Sequence, residues 1–266
     1  MLDNLSGATR VYIIVGDPIA QVRSPAGMTR AFEACGMNAV CVPAWVAPAD
    51  LGSYLDALRQ MRNLDGVLVT VPHKFAAAEA CTQLSARARF LETVNVMRRL
   101  PDGGWLGDAL DGLGYVAALR ALGQDLQGLR VLITGAGGAG TCIAHALLQA
   151  SVGELAVHDP DIGRRDRLLE RLGTIGASTS RAGSDDAGGF DIVINASPCG
   201  MRPEDPLPVR TESLDARTIV GDVITDPLRT PLLERARALG CPTVDGADMY
   251  GQVAALMVEF FQGNEL

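Results

Sequence analysis

The sequence predicts an α/β protein, and three observations carry that reading. Short apolar runs alternate with longer helical patterns almost throughout, as in βαβ units whose parallel sheet is covered on both faces. A glycine-rich turn, GAGGAG at 135–140, joins an apolar strand to a helix of small residues near the middle of the chain. Finally, 266 residues with 48% hydrophobic and 20% charged side chains are enough for one large domain or two modest ones, each with a buried core.

Taken in order, VYIIV (11–15) reads as the first strand, and after the loop GDPIAQVRSP the segment 26–35 reads as a helix. CVPAWV (41–46) is a second strand. The helix expected over 49–62 carries Leu51, Tyr54, Leu55 and Leu58 on one apolar stripe. GVLVTVP (66–72) is the third strand, with Lys74 just beyond its carboxyl end, and PDGG (101–104) turns a hairpin between VNVMRR and Trp105-Leu106. A second unit begins near Gly112 with a helix over 112–122, then the strand VLIT (131–134), the glycine turn, a helix over 139–150 and the strand ELAVHD (154–159). DIVINAS (191–197) and TIVGDVI (218–224) are later strands, and the polar, glycine-rich stretch 176–189 is expected to hold one short strand and a mobile loop.

Composition excludes several classes. With 31 acidic against 23 basic residues the net charge is −8, so no broad basic face is available for nucleic acid or anionic lipid. Six cysteines are scattered without a C-x-x-C pair, which suits reduced thiols in a cytoplasmic protein and neither a zinc site nor an oxidised framework. The first apolar run is too short for a signal-peptide core. The charge-free run 131–153 has the length of a membrane span, but glycines, a His and a Gln interrupt it, as expected for a strand, a turn and a buried helix.

Gly135, Gly137 and Gly140 match G-x-G-x-x-G, and with Gly138 and Ala139 they form a turn between a strand and a helix. In that context backbone N–H groups and the helix dipole face a pyrophosphate. Asp159 follows about 20 residues later at the end of the next strand, where a carboxylate accepts hydrogen bonds from an adenosine ribose. A tight turn without a ligand is the competing reading. Elsewhere Lys74, Asn95 and Asp111 lie at or just past strand ends, the positions that line the ligand crevice of an open α/β sheet. A lysine beside an aspartate can pass a proton to or from a hydroxyl. A lysine after a strand is also often only a solvated charge.

The ordered segments GDPIAQVRSP, GVLVTVPHK, TVNV, GDALDG, GAGGAG, INASPCGM, DVITDPLRTPLL and DGADMYGQ closely resemble the shikimate dehydrogenase family, from Val11 to Phe261. The resemblance implies a substrate-binding domain over 1–111 and 246–266, a Rossmann NAD(P)-binding domain over 112–245, and a C-terminal helix returning to the first domain. It implies Lys74 and Asp111 as the catalytic pair, with Ser24, Thr70, Asn95 and Gln252 as substrate contacts. Ala196 and Ser197 of the INASPCGM loop, Val223, Gly246 and Met249 are implied to border the cofactor.

This chain departs from the family pattern at informative places. Val22 replaces one of two carboxylate-holding serines, Leu68 stands at an asparagine position, and Thr225 stands at a tyrosine position. Ala109 and Leu110 replace an Asn-Thr pair before Asp111. Each lost hydrogen bond to a bound polar group removes on the order of 1 kcal/mol, and more when the ligand group is charged. The expected activity is therefore reversible oxidation of a secondary ring hydroxyl in a small cyclic substrate other than shikimate. Shikimate or quinate dehydrogenase proper and a catalytically weak dinucleotide-binding sensor are the alternatives.

The expected cofactor is NAD, with NADP possible. Asp159-Pro160-Asp161 occupies the place of an Asn-Arg-Thr motif in NADP-using relatives, and Arg164 or Arg165 is the cation that bears on that preference. His73 is read as a surface residue on strand alternation, His145 as a core or interface residue and Cys199 as a small buried one. No metal site is read, and the expected assembly is a monomer or homodimer.

Overall fold

The computed structural model describes residues 5–175 and 179–264. The chain divides into two compact units, one running up to Leu110 and resuming at Val253, the other covering Asp111–Gln252.

In the first unit the elements are β1 (Arg10–Gly16), α1 (Ser24–Ala34), β2 (Ala39–Trp45), a 3₁₀ turn (Pro48–Asp50), α2 (Leu51–Leu58), β3 (Leu64–Val69), α3 (Lys74–Glu79), β4 (Gln83–Leu84), α4 (Ala86–Leu91), β5 (Val96–Arg99) and β6 (Trp105–Asp108). They build a six-stranded sheet in the order β2-β1-β3-β5-β6-β4. β1 runs parallel to β2 and β3, whereas β5 is antiparallel to β3 and β6. The PDGG hairpin connects β5 to β6, with Gly103 at φ +85°, a conformation glycine adopts without steric cost.

Several boundaries differ from the sequence expectation for local reasons. Helix α1 begins at Ser24 because Pro25 fits the first helical turn, where its missing N–H is not needed. The helix expected over 49–62 is only Leu51–Leu58: its far end tightens into i→i+3 bonds at Arg59, Gln60 and Met61. The third strand stops at Val69, ahead of Pro72, which cannot donate to a ladder.

The second unit contains α5 (Asp111–Ala121), β7 (Arg130–Thr134), α6 (Gly138–Gln149), β8 (Glu154–His158), α7 (Ile162–Leu172), β9 (Thr179–Ala182), β10 (Ile192–Asn195), β11 (Ile219–Asp222), α8 (Pro231–Ala238), β12 (Thr243–Val244) and α9 (Gly246–Gln262). Its six strands are all parallel, in the order β12-β11-β10-β7-β8-β9. Strand order reverses between β7 and β10, the switch point at which an open α/β sheet leaves a crevice beyond its carboxyl ends. β9 is the short strand expected within 176–189; the first three residues of that stretch, 176–178, lie outside the described residues. Helices α5 and α6 approach closely, since a Cβ on Gly112 would stand 2.0 Å from the Cys142 carbonyl oxygen.

Helix α9 is continuous across the division of units. The sequence reading puts the return to the first domain at Gly246; the residues that pack with the first unit begin at Val253. There Phe261 stacks beside Tyr12, with ring centroids 4.6 Å apart, and Tyr12 lies 4.3 Å from Phe32. Gly66 in β3 makes room for this cluster, because a Cβ there would come within 2.3 Å of the Phe261 ring. Among the described residues no helix is long and apolar enough to cross a membrane.

Candidate active site

In the second unit the carboxyl end of β7 runs straight into the glycine turn. Gly135 has φ +96°, and a Cβ there would lie 2.8 Å from the backbone of Ala196 and Ser197. A Cβ on Gly140 would stand 1.9 Å from the Gly135 carbonyl oxygen, so the start of α6 packs directly on the turn. Gly137 differs, since a Cβ on it would meet nothing within 4 Å. Gly137, Gly138 and Ala139 are thus partly exposed at the mouth, over buried Gly135 and Gly140. The N-terminus of a three-turn helix facing an open cradle fits a dinucleotide pyrophosphate, to which it offers unpaired N–H groups and the positive end of the helix dipole.

Asp159 lies at the end of β8 and is only 5% exposed. Its Oδ2 accepts the Ala136 N–H at 2.8 Å and its Oδ1 accepts the Asp161 N–H at 2.8 Å. The carboxylate therefore braces the glycine turn while each oxygen keeps a further lone pair. Arg164 reaches over it, with Nη1 3.7 Å from Asp159 and Nη2 3.6 Å from Asp161. Asp161 also caps α7 by accepting the Arg164 N–H, which holds its carboxyl below the ordinary range. Arg165 turns instead to Asp166 at 2.8 Å.

Beyond β10, Asn195 Oδ1 accepts the Ser197 N–H at 3.0 Å and its hydroxyl at 2.6 Å, which folds Ala196 and Ser197 back toward the turn. The N–H of Val223, just past β11, donates to the Asn195 carbonyl at 3.0 Å. The start of α9 lies against the same loop: a Cβ on Gly246 would be 2.3 Å from the Ile224 carbonyl oxygen, so only glycine fits, and Met249 one turn on is buried. The glycine turn, Ala196, Ser197, Val223, Gly246 and Met249 thus belong to one end of the second unit.

In the first unit the ends of β1 and β3 are laced together. Thr70 N–H donates to the Val15 carbonyl and Asp17 N–H to that of Val71, each at 3.0 Å, and Gly16 leaves room for the Thr70 methyl. Four residues after Thr70, Lys74 opens α3, half-buried, and its carbonyl accepts the Val94 N–H at 3.0 Å. Asn95 is buried; its main chain pairs with Val69 and Asp108, and its side-chain oxygen accepts the Leu110 N–H at 2.8 Å. Thr70, Lys74 and Asn95 therefore share one edge of this unit. Ser24 is buried at the start of α1. Asp111 and Gln252 are the first and last residues of the second unit, buried and half-buried respectively. Leu68 is buried in the sheet, and Thr225 is partly exposed past β11.

Two residues depart from their expected setting. His73 is not on the surface but 1% exposed, with Nε2 2.8 Å from the Val46 carbonyl oxygen. Strand alternation does not extend to His73, because the strand ends at Val69 and a helix begins at Lys74. Cys199 is half-buried, on a loop and not in the core. His145 is half-buried in α6.

The sequence reading passed over two polar clusters. Asp108, at the end of β6, is buried under a bidentate Arg87 at 3.2 and 2.7 Å and accepts the Ala109 N–H at 2.7 Å, which fixes the chain leading to Asp111. Asn195 and Asp222, closing β10 and β11, meet inside the second unit at 3.2 Å. The available signal was a lone amide or carboxylate ending an apolar strand, IVIN and IVGD.

Residues 14–97 match the shikimate dehydrogenase substrate binding domain. A shikimate dehydrogenase (NADP(+)) of Rubrobacter xylanophilus is 35% identical over 91% of this chain and 87% of its own length. The quinate dehydrogenase of Corynebacterium glutamicum in complex with NAD superposes with a TM-score of 0.86 at 28% identity, covering 97% of this chain and 95% of that one. The ligand-free 5-ketofructose reductase of Gluconobacter sp. strain CHM43 gives 0.85 at 28% identity, covering 97% and 94%. Fold and likeness together define an NAD(P)-dependent oxidoreductase acting on a CH–OH group. Within that class, the chain belongs to the shikimate dehydrogenase family.

Proposed function

We propose that the protein reversibly oxidises a secondary ring hydroxyl of a small cyclic substrate other than shikimate, with NAD preferred over NADP. The observation that carries the reading is a site altered on one side only: Val22, Leu68 and Thr225 replace polar family positions, while Lys74 and Asp111 are kept. Fewer donors and acceptors then meet a substrate carboxylate and its hydroxyls, so a differently substituted ring is favoured. Relatives whose names cover shikimate, quinate and 5-ketofructose support the view that this fold accepts varied substrates.

The bound nicotinamide supplies hydride acceptance and return. Lys74 removes the hydroxyl proton during oxidation and returns it during reduction, Asp111 is the carboxylate of the pair, and Ser24, Thr70, Asn95 and Gln252 orient the ring. The glycine turn takes the pyrophosphate, and Ala196, Ser197, Val223, Gly246 and Met249 border the nicotinamide. Two carboxylates, Asp159 and Asp161, face the position of a 2′-phosphate and disfavour its charge, while Arg164 is already engaged with both.

A panel of cyclic polyols and hydroxy acids assayed with NAD and NADP, repeated with Lys74→Ala and Asp111→Asn, tests the reading. At least one ring alcohol other than shikimate should reduce NAD, with turnover lowered by roughly 10²-fold or more in either variant and a smaller change in KM. Efficient shikimate oxidation by the wild type, or full turnover in both variants, would overturn it.

A further inference from the structure

The carboxylate of Asp222 is fully buried and sits at the centre of a network that the proposed chemistry does not use. Its Oδ1 accepts the Ile224 N–H at 3.0 Å and its Oδ2 the Thr230 hydroxyl at 2.8 Å, while Asn195 Nδ2 lies 3.2 Å from both oxygens. Asn195 Nδ2 also reaches the Cys199 carbonyl at 3.0 Å, and its Oδ1 accepts from Ser197. Thr230 in turn caps α8, accepting the Leu233 N–H at 3.4 Å. One carboxylate thereby joins the loop after β10 to the loop after β11, and both to a helix start.

Burying an ion at this depth is costly unless the surroundings supply donors. Here every named contact of Asp222 is a donor, and none is a cation. A hydrophobic residue of similar size would fill the volume more cheaply but would hold neither loop. On the nearby α5, Tyr115 is fully buried over Gly221, and its hydroxyl has no hydrogen-bond partner among the described residues. Burial, then the Asp222 charge and that of Asp248, push this phenol well above its ordinary range, so it stays neutral.

We propose that Asp222 is a positioning residue for the dinucleotide: through Asn195 and Thr230 it holds the 195–201 and 223–230 loops in one mutual arrangement, which presents Ala196, Ser197 and Val223 to the cofactor. This rests on the assignment of those three residues to the cofactor border. Without a shared anchor each loop samples its own conformations, and the nucleotide must then select the rare arrangement in which both fit.

The test uses Asp222→Asn, Thr230→Val and Thr230→Ser in the full chain. Readouts are thermal unfolding, NAD affinity by fluorescence titration, and KM for NAD and for an active ring alcohol. The expected result is a folded Asp222→Asn and a folded Thr230→Val, each with NAD affinity and NAD KM weakened by roughly ten-fold, an unchanged alcohol KM, and recovery in Thr230→Ser, which keeps the hydroxyl. A purely structural role would lower the unfolding temperature and leave NAD affinity at the wild-type value, and that result would overturn the inference. Should Asp222→Asn fail to fold, the Thr230→Val and Thr230→Ser pair decides by the same readouts. A wild-type chain that binds neither NAD nor NADP would instead sink the cofactor assignment itself.

Discussion

The side-chain oxygen of Asn95 accepts the backbone N–H of Leu110 at 2.8 Å, so a residue proposed to touch substrate also fixes the peptide immediately before Asp111. Separating those roles needs two substitutions. Asn95→Ala leaves the Leu110 N–H without its acceptor and should cost about 1–3 kcal/mol in urea unfolding. Asn95→Asp keeps an acceptor oxygen and should lose less stability, yet it should raise substrate KM because the amide donor is gone. Equal stability loss in both variants would show that the acceptor is not what holds the junction.

Cofactor choice should turn on Asp161 more than on Asp159. Asp159→Ala removes the acceptor for Ala136 N–H, so the glycine turn loosens and NAD and NADP weaken together. Asp161→Ser keeps a helix-capping oxygen but removes one of the two charges on Arg164. Titration of both nucleotides at matched ionic strength should therefore show NAD binding tighter in the wild type and the NADP-to-NAD affinity ratio rising in Asp161→Ser. A wild type that prefers NADP would reverse the assignment.

Asp222 makes a pH prediction with a definite sign. Burial pushes its carboxyl up to about 6, although donors from Ile224, Thr230 and Asn195 pull the other way. Between the ordinary carboxyl range near pH 4 and that value, the native state keeps a proton that the unfolded chain has lost. Stability due to this group therefore falls as pH rises through the window and is level above it. Relative to Asp222→Asn, which does not titrate, the wild type should lose on the order of 3 kcal/mol between about pH 4 and 6 in urea unfolding. A flat difference across that range would mean the carboxylate is not held up.

The parts that could be read in advance are those written locally in the chain. Strand β7, the glycine turn, α6 and Asp159 follow one another within thirty residues or so, and each carries its own signal. Lys74 and Asn95 were read from the strand ends they follow, but His73 was misplaced because its burial depends on Val46, a residue of another segment. The Asn195–Asp222–Thr230 network was hidden for the same reason: no spacing rule connects three polar residues at the ends of different elements. Short α3 and α4 span less than two turns, too little for an apolar stripe to declare itself.

Helix α9 has a bearing on how the molecule is made. The second unit is one uninterrupted stretch, whereas the first closes its aromatic cluster only with Phe261, seated on Gly66 beside Tyr12 and Phe32. During synthesis the sheet of the first unit must wait, with Tyr12 and Phe32 uncovered, until the residues past Val253 have emerged. The unit begun second is thus the one that can be completed first. A truncation near the end of α9 would therefore strike the unit whose synthesis began first and leave the unit begun second intact.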